Sequence, residues 1–299
     1  MALPPLVAVL APSAAGAATR HVWITAEPVT WNAVPNQIDA IHGTRFEPAQ
    51  TVFPTVTYRR YTRGWRRPMG APDRGHGSGR IPGPLIKARE GDTVKVHFKN
   101  RDSLRRADHS MHFHGFEYTP RSDGAYVPGF SGRDGRVRPG RSVVYTLHAN
   151  RGSRGVWPYH DHSTSMEESI AGGMYGAISI AGRREKRADR EFVVMFAPFG
   201  TFQAVNGRAY VGNTPVFRAR VGETIQWDVL AMGDEHHTFH VHGHKWRDPS
   251  GVPMDTKTLG PAESFRVRWR ESSPGTWLYH CHVEAHMAQG MIGLYQVRR

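Results

Sequence analysis

The apolar segments of this 299-residue chain are short, alternate with polar positions and are separated by residues that favour turns. Alternation places successive side chains on opposite faces of a strand, and 32 glycines and 21 prolines supply frequent breaks. The pattern predicts an all-β protein, an antiparallel sandwich or barrel whose strands cross between sheets. Little helix is expected, with short helical turns at 165–170 and 284–289.

An internal repeat divides the chain into two similar halves. GPLIKAREGDTV (83–94) aligns without a gap with TPVFRARVGETI (214–225). Two histidine clusters follow in each half: HSMHFHG (109–115) and WPYHDH (157–162), then HTFHVHG (237–243) and WLYHCH (277–282). We therefore predict two domains of one plan, at 19–182 and 192–299, joined by a charged, solvated linker at 183–191.

The clusters contain four pairs of histidines separated by one residue. The pairs are His112/His114, His160/His162, His240/His242 and His280/His282. Residues two apart on a strand share a face, so each pair presents two imidazoles side by side. One pair alone is more often structural, but four pairs at matching positions indicate metal binding. Eight imidazoles are too many for one zinc or copper ion and suit three copper ions. Each half supplies four of them, so this metal cluster is expected at a domain–domain interface.

The single cysteine lies between two of these histidines. Cys281 alternates with its neighbours and therefore faces away from them on a strand. His237 likewise has the opposite parity to His240, while His286 and Met291 follow in the next loop. Two imidazoles, a thiolate and a weak thioether are the ligand set of a blue, electron-transfer copper. Cys281 is thus expected to join two kinds of metal site through a few bonds.

The net charge of +13 does not indicate nucleic-acid binding, because the arginines are scattered and no nucleic-acid motif accompanies their dense runs at 58–68 and 182–191. No apolar stretch after the N-terminus is long enough to span a membrane. Residues 1–18 look like a signal peptide, although the usual basic region is missing. A secreted or extracytoplasmic protein is therefore expected; a disordered tail or an internal start codon is the alternative.

Taken together, HSMHFHG, YHDH, HTFHVHGH and YHCHVEAHMAQGM resemble the motifs of the multicopper oxidases, and within them the two-domain small laccases. The motifs span both halves in the family's order. The resemblance implies two cupredoxin-like Greek-key β-barrel domains in tandem. It also implies oxidation of phenols, aromatic amines or metal ions, coupled to the four-electron reduction of dioxygen to water.

Four copper ions per complete unit follow from the same resemblance. The mononuclear, electron-accepting type 1 copper would use His237, Cys281, His286 and axial Met291. The type 2 copper would use His112 and His240. The coupled type 3 pair would use His114, His160, His162, His242, His280 and His282.

The first half should hold no type 1 copper. Asp161 stands at the position of the cysteine, Met166 at that of His286, and His109 at that of His237. A blue copper without its thiolate is not credible. We expect His109 and Asp161 to be structural, with Asp161 bonding a ligand imidazole.

Two further residues are candidates for catalysis. Tyr118, four positions after His114 and of the same parity, is a candidate auxiliary electron donor. Asp123 is a candidate proton relay to oxygen. A core tyrosine and a turn-forming Asp-Gly are the respective alternatives.

The small laccases assemble as homotrimers that share the cluster between neighbouring subunits, and the resemblance implies the same here. The residues alone require only an interdomain interface. A copper nitrite reductase needs a single type 2 copper and keeps its blue copper in the first domain, which argues against it. A copper storage protein should carry methionine- or histidine-rich tracts that this chain lacks. A cuprous or manganous oxidase would differ only in substrate and stays open.

Overall fold

The computed structural model describes residues 17–70 and 80–299. The expected signal peptide falls almost wholly outside these residues. Strands of the first half are β1 (Thr19–Asn32), β2 (Val52–Tyr61), β3 (Ile86–Arg89), β4 (Thr93–Asn100), β5 (His112–Phe113), β6 (Ser142–His148), β7 (Gly155–His160) and β8 (Tyr175–Ala181). Those of the second half are β9 (Arg190–Phe199), β10 (Phe202–Val205), β11 (Val216–Arg220), β12 (Thr224–Ala231), β13 (His237–Val241), β14 (Trp246–Arg247), β15 (Pro253–Met254), β16 (Thr256–Leu259), β17 (Ser264–Arg270), β18 (Gly275–Cys281) and β19 (Ile292–Arg298).

Helix is scarce, as the sequence predicts. The three α-helices are α1 (Pro48–Thr51), α2 (Met166–Ala171) and α3 (Glu284–Ala288), and 3-10 turns lie at Arg63–Trp65, Pro120–Ser122 and Arg133–Gly135. Helices α2 and α3 occupy the two expected positions. Helix α1 was not predicted; it begins with proline at its first position and is closed by reciprocal bonds between Glu47 and Gln50.

The two halves repeat one topology. The first half forms sheets of order β2-β1-β4-β6 and β3-β8-β7-β5. The second forms β10-β9-β12-β17 and β11-β19-β18-β13-β16, together with the β14-β15 hairpin. Each four- or five-stranded sheet contains one parallel pair: β1/β4, β3/β8, β9/β12 and β11/β19. The all-β prediction is confirmed, but the sheets are mixed rather than purely antiparallel, because strands return to a sheet after crossing to the other one.

Alternation along the strands builds the core. In β4 the side chains of Val94, Val96 and Phe98 are buried, while Lys95 and His97 between them face outwards. Each half has its own apolar cluster between its two sheets. This arrangement leaves the polar histidine motifs near the ends of strands, outside the apolar core.

A third apolar cluster joins the halves. Trp31 and Tyr175 pack there with Met195 and Leu230, and Trp31 donates its Nε1–H to the carbonyl oxygen of Gly207 at 2.5 Å. The halves are therefore held by an apolar contact and not only by their connecting segment.

Polar contacts reinforce this junction. Arg266 forms an ion pair with Asp228 at 2.6 Å and donates to the carbonyl oxygen of Ile180 at 3.0 Å. The segment at 183–191 is not simply solvated, because Glu185 is held between Arg154 at 3.0 Å and Arg268 at 2.5 Å. Within the described residues, no helix has the length and apolarity needed to cross a membrane.

Candidate metal centres

Strand register brings the histidine motifs together. In the first half His112 on β5 lies opposite His160 on β7, and in the second half His240 on β13 lies opposite His280 on β18. Because each motif has a second histidine two residues further on, each strand pair brings four imidazoles to one end of a sheet.

A glycine after each first motif allows this convergence. Gly115 has φ of 75°, and a Cβ there would lie 2.2 Å from the ring of Trp157. Gly243 has φ of 70°, and a Cβ there would lie 2.7 Å from the ring of Trp277. Only glycine fits both the backbone conformation and the space beside the indole ring. The glycine of the HxHG motif is therefore required by packing, whereas its histidines serve as candidate metal ligands.

The first histidine group consists of His112, His114, His160 and His162. The ring centroid of His112 lies 5.1 Å from that of His114, 5.4 Å from that of His160 and 5.3 Å from that of His162. The Nε2 atoms of His114 and His160 are 3.3 Å apart. Three of these residues offer nitrogen atoms within 4.8 Å of one another, a spacing suited to metal ions.

The second histidine group, His240, His242, His280 and His282, repeats this geometry. The centroid of His240 lies 5.2 Å from that of His242, 5.4 Å from that of His280 and 5.6 Å from that of His282. The Nε2 atoms of His242 and His280 are 3.1 Å apart. The internal repeat of the sequence thus extends to the placement of single rings.

Backbone carbonyl groups fix the tautomers in both groups. The Nδ1 atoms of His112 and His240 lie 2.8 and 2.7 Å from the carbonyl oxygens of Asp123 and Asp255. A carbonyl oxygen only accepts, so Nδ1 must carry the hydrogen and Nε2 keeps its lone pair for a metal ion.

The second pair of motifs uses its own backbone for the same purpose. His160 donates Nδ1–H to the carbonyl oxygen of Asp161, and His280 donates to that of Cys281, both at 2.9 Å. Burial, together with the neighbouring imidazoles, lowers the pKa of His114, His160 and His280 to about 4. The rings are therefore neutral at neutral pH, which is the form that binds metals.

The two histidine groups do not meet within one chain. Among the residues that the structure describes, no ring contact joins a histidine of the first group to one of the second. Both groups remain partly accessible, since His112, His162 and His240 are only partly buried and His242 and His282 are exposed. Each group is thus an open half of the eight-histidine set.

A third site forms on the other face of β18. The Sγ atom of Cys281 lies 3.9 Å from Nδ1 of His237 and 3.6 Å from Nδ1 of His286, and the two nitrogens are 3.2 Å apart. An ion at about 2.0 Å from each nitrogen and about 2.3 Å from sulfur, in a trigonal plane, needs N···S separations of about 3.7 Å and an N···N separation of about 3.5 Å. The three donors fit a trigonal ion, and all three residues are buried.

The surroundings of the thiol suit an electron-transfer site. Thr238 donates its backbone N–H to Sγ of Cys281 at 3.3 Å. Burial raises the pKa of the Cys281 thiol and lowers that of His237 to about 3. Met291 is fully buried, and its carbonyl oxygen accepts the backbone N–H of Cys281 at 3.1 Å.

The corresponding position in the first half contains an ion-pair network. His109 lies between Asp161, with Nδ1 at 3.0 Å, and Asp102, with Nε2 at 3.2 Å, and all three are buried. Burial opposes protonation of His109, but the two carboxylates outweigh it and raise its pKa. The Asp161 carboxylate bonds His109, Ser110 and Ser163, which is the structural role that was expected. Asp161 also bonds a ligand imidazole, through its backbone carbonyl oxygen, which accepts from His160 at 2.9 Å.

Tyr118 and Asp123 both lie beside His112. The ring centroid of Tyr118 is 6.3 Å from that of His112, and a carboxylate oxygen of Asp123 is 3.4 Å from Nδ1 of the same histidine. Burial, followed by the charge of Asp123, raises the pKa of Tyr118 to about 12. Strand parity does not explain this position, because β5 ends at Phe113 and the chain then turns.

Glu235 was not found by sequence reasoning. Its carboxylate lies 3.1 Å from Nε2 of His286 and accepts from the Gln203 amide at 2.7 Å, and its side chain is 54% exposed. His237, by contrast, is fully buried. The thiol site therefore approaches the surface through His286 and its partner Glu235. In the sequence, the only feature that could have identified Glu235 is its place two residues before HTFHVHG, and that spacing is not distinctive.

Family models described as multicopper oxidase match two adjoining regions, residues 75–185 and 185–299. Together they cover most of the chain and divide it where the repeat does.

Curated relatives are about a quarter to a third identical to this chain over the residues that align. A probable nitrite reductase-hydroxylamine oxidoreductase fusion protein of Kuenenia stuttgartiensis is 31% identical over 73% of this chain and 27% of its own length. Ferroxidase HEPHL1 of Homo sapiens is 26% identical over 94% of this chain and 29% of its own length. The chain thus spans less than a third of these relatives.

Solved structures share the fold. A multicopper oxidase superposes with a TM-score of 0.72 at 22% identity, covering 93% of this chain and 89% of that one. A copper nitrite reductase of Nitrosomonas europaea gives 0.69 at 20% identity, covering 94% and 95%. These likenesses confirm the predicted pair of cupredoxin-like β-domains.

Proposed function

The chain belongs to the multicopper oxidase family, and on that premise we propose that it oxidises phenols and aromatic amines in one-electron steps and reduces dioxygen to water. Copper is the cofactor of this family, and the donor sets described above fit it. We propose the type 1 site at His237, Cys281, His286 and Met291, the type 2 site at His112 and His240, and the type 3 pair at the six remaining paired histidines, His114, His160, His162, His242, His280 and His282.

One observation carries the proposal: a single residue connects the two kinds of site. Sγ of Cys281 faces His237 and His286, while its backbone carbonyl accepts from His280 at 2.9 Å. The chain therefore offers a path of a few covalent bonds and one hydrogen bond between a site that accepts electrons singly and a site built from eight imidazoles. A storage protein has no need of such a link.

The reducing substrate is proposed to dock over His286. The Nε2–H of this residue donates to Glu235 at 3.1 Å, and Glu235 is the half-exposed end of the pair. Its carboxylate is positioned to accept a proton from a phenol or to bind the cationic form of an amine. His237, being buried, offers no such edge.

The eight-histidine site is proposed to form between copies of the chain. Two open half-sites that do not meet within one chain can be completed only by joining the first group of one copy to the second group of the next. Such a head-to-tail contact uses two different surfaces, and it closes into a ring when the rotation between successive copies adds up to a full turn. We propose a homotrimer, as in the small laccases.

Bound copper would supply one-electron redox chemistry and sites for dioxygen. Around it, Tyr118 is proposed as an auxiliary electron donor and Asp123 as a proton relay, since both lie beside His112. Asp123 is 38% exposed at its side chain, so it can exchange protons with solvent. Tyr118→Phe should alter reoxidation kinetics, and Asp123→Asn should alter the pH profile of turnover.

Glu235 also favours a second candidate function, the oxidation of a metal ion. A carboxylate at the electron-entry edge is a hard ligand suited to a divalent cation. A relative named as a ferroxidase is consistent with this reading. A copper nitrite reductase is less well supported, because it needs neither the eight paired histidines nor a cysteine confined to the second half.

The remaining assignments are proposals of the same kind. We propose domain bounds of 19–182 and 192–299, a signal peptide at 1–18, and a secreted or extracytoplasmic location.

The test is metal analysis and visible absorption of the purified protein, followed by oxygen uptake with a phenol, an aromatic diamine, Fe(II) and Cu(I) in parallel. Four coppers per chain with a blue band and fastest uptake with the phenol or diamine support the laccase-type function. Fastest uptake with a metal ion supports the second candidate, and nitrite reduction without oxygen uptake would overturn both.

A further inference from the structure

A cleft of about 640 Å³ lies at the junction of the two halves. One wall is the start of β7, with Val156 and Trp157, and the other is formed by residues of β14, β15 and β17. The cleft shares no residue with the three candidate metal centres or with the edge at His286 and Glu235. Small-molecule sites in proteins usually measure about 300–1,000 Å³, so this cleft has the size of a ligand site.

The floor of the cleft is apolar and aromatic. Trp246 is 5% exposed, and its ring is nearly parallel to that of Phe265, with centroids 6.3 Å apart and an interplanar angle of 21°. Trp157 lines the cleft from the first half, and its Nε1–H is already donated to the carbonyl oxygen of Ser153 at 2.8 Å. These rings can therefore offer apolar and stacking contacts to a flat ligand.

Bonds between the halves fix the two walls. The Ser264 hydroxyl on β17 donates to the carbonyl oxygen of Val156 on β7 at 2.5 Å. Arg266, also on β17, donates to the carbonyl oxygen of Ile180 at 3.0 Å. The cleft is therefore formed before a ligand binds, and binding costs little conformational entropy.

The lining carries five cations. Three of them are matched by the carboxylates of Asp228 and Glu185; these are Arg154, Arg266 and Arg268. The other two, Arg247 and Lys257, are exposed, and neither forms an ion pair within the part of the chain that the structure describes. With Asp248, the one acid in the lining, five cations face three carboxylates, and the cleft keeps a net positive charge.

Strand pairing directs Lys257 towards the aromatic floor. It lies opposite Phe239 in the β13/β16 pair, and residues opposite each other across antiparallel strands share a face of the sheet. On that face the ring of Phe239 packs against those of Trp246 and Phe265, with centroids 5.9 and 5.8 Å apart. An unpaired cation and a stacking surface therefore belong to the same cleft.

We propose that this cleft binds an aromatic carboxylate, with its ring against Trp157, Trp246 and Phe265 and its carboxylate directed to Arg247 and Lys257. A neutral aromatic compound would make the apolar contacts without the charge, and an inorganic anion would meet the charge without the contacts. The site does not depend on the oxidase function proposed above, because a ligand bound there need not be oxidised. Since both halves line the cleft, a bound ligand should also stabilise the chain against unfolding.

The test is isothermal titration calorimetry of the copper-loaded enzyme with 2-naphthoate and, in parallel, with 2-naphthamide, which carries a neutral amide in place of the carboxylate. Neither compound is a phenol or an aromatic amine, so the result does not depend on turnover. We expect one 2-naphthoate per chain, bound about fivefold or more tightly than the amide. The melting temperature should rise with the concentration of 2-naphthoate.

Variants of the rim and floor test the location. Lys257→Gln and Arg247→Gln should each weaken binding of 2-naphthoate about threefold to fivefold and leave that of 2-naphthamide unchanged. Lys245→Gln is the matched control, because it removes an exposed cation beside β14 that does not line the cleft, and it should change neither affinity. Met254→Trp should fill the cleft and abolish binding of both compounds.

All variants are compared with the unmodified enzyme for melting temperature and turnover. Lys257→Gln, at an exposed position, carries the test if Met254→Trp folds poorly. Absence of saturable binding, equal affinity for the two compounds, or the same affinity for 2-naphthoate in Lys257→Gln as in Lys245→Gln would each overturn the proposal.

Discussion

The backbone carbonyl oxygen of Cys281 accepts the Nδ1–H of its neighbour His280 at 2.9 Å. One residue therefore takes part in two sites, through its sulfur on one face of β18 and through its carbonyl on the other. The equivalent bond in the first half, from His160 to Asp161, has the same length but leads to a carboxylate network. Only the second half pairs this link with a thiol.

Replacement of Cys281 by serine should abolish the blue absorption and lower turnover to background, because a hydroxyl is a poor copper ligand at this position. Binding of metal by the histidine groups should persist, since their side chains face away from Cys281. Met287→Leu, in α3 beside His286 but outside the donor set, should keep both colour and activity. Turnover of organic reductants by the serine variant would contradict the proposed path.

Replacement of Glu235 by glutamine should lower the turnover of cationic substrates more than that of neutral ones. Loss of the half-exposed carboxylate should lower kcat/KM for a cationic diamine or Fe(II) about fivefold, near 1 kcal/mol, and change that for a neutral phenol less. Glu284→Gln, which removes an exposed charge from α3 without a bond to His286, is the control. Equal effects of Glu235→Gln on both substrate classes would show that the carboxylate does not contact the reductant.

Mixing two inactive variants should restore activity if copies of the chain share the cluster. One variant carries His112→Ala and His160→Ala, and the other carries His240→Ala and His280→Ala. In a head-to-tail ring with random mixing, about a quarter of the contacts join an intact first group to an intact second group. Coexpression should therefore recover roughly that fraction of activity.

The control for this experiment mixes two variants that are both altered in the first group, and it should recover nothing. A cluster formed within one chain predicts no recovery in either mixture. Light scattering of the same samples should give the mass of a trimer.

Acid stability should depend on Glu271. This buried carboxylate accepts bonds from His244 at 3.2 Å and Trp269 at 3.0 Å, and it also bonds the hydroxyl of Tyr295. Burial opposes ionisation, but the bonds from His244 and Tyr295 outweigh it and lower the pKa of Glu271 from 4.5 to about 2. A lowered pKa means that the stabilisation is complete above pH 4.5 and is lost as the pH falls towards 2.

The difference corresponds to about 3 kcal/mol at neutral pH. Glu271→Gln should lower the melting temperature at pH 7 and flatten its fall between pH 5 and 3, measured by thermal unfolding at each pH. Glu167→Gln, at an exposed position of α2, should keep the slope of the unmodified protein. An unchanged slope in Glu271→Gln would refute the assignment.

Alanine at Gly115 should disrupt the first histidine group. Its Cβ would lie 2.2 Å from the ring of Trp157, and the positive φ of 75° adds a backbone cost of about 1–2 kcal/mol. Gly43→Ala is a matched control, with φ of 73° but open space around the Cβ position. Copper loss and a larger fall in melting temperature are expected only in Gly115→Ala, and equal falls would mean that the contact with Trp157 is unimportant.

Local patterns predicted much of the site. Parity along a strand depends only on sequence spacing, so the histidine pairs and the opposite face of Cys281 follow from the residues themselves. The repeat predicted that Asp161 would replace the thiol in the first half. Tyr118 lies beside His112, as expected, but strand parity is not the reason, because a strand that ends at Phe113 no longer determines where a later side chain lies.

Contacts between distant segments needed the folded chain. The carbonyl oxygens of Asp123 and Asp255 that orient His112 and His240 come from irregular loops, where spacing carries no positional information. The pairing of Glu235 with His286 and the meeting of Trp157 with Phe265 in one cleft depend on how strands from different parts of the chain lie side by side. No local rule contains that information.

The sequence by itself determined two β-domains of one plan, eight imidazoles in facing pairs and one thiol directed away from them, because these properties depend on short-range periodicity and on repetition. The tertiary structure decided that the two histidine groups of one chain lie apart, that the thiol site reaches the surface at His286 and Glu235, and that the first half replaces a metal site with a buried ion-pair network. These outcomes depend on how the sheets and loops pack, and packing is a property of the whole chain.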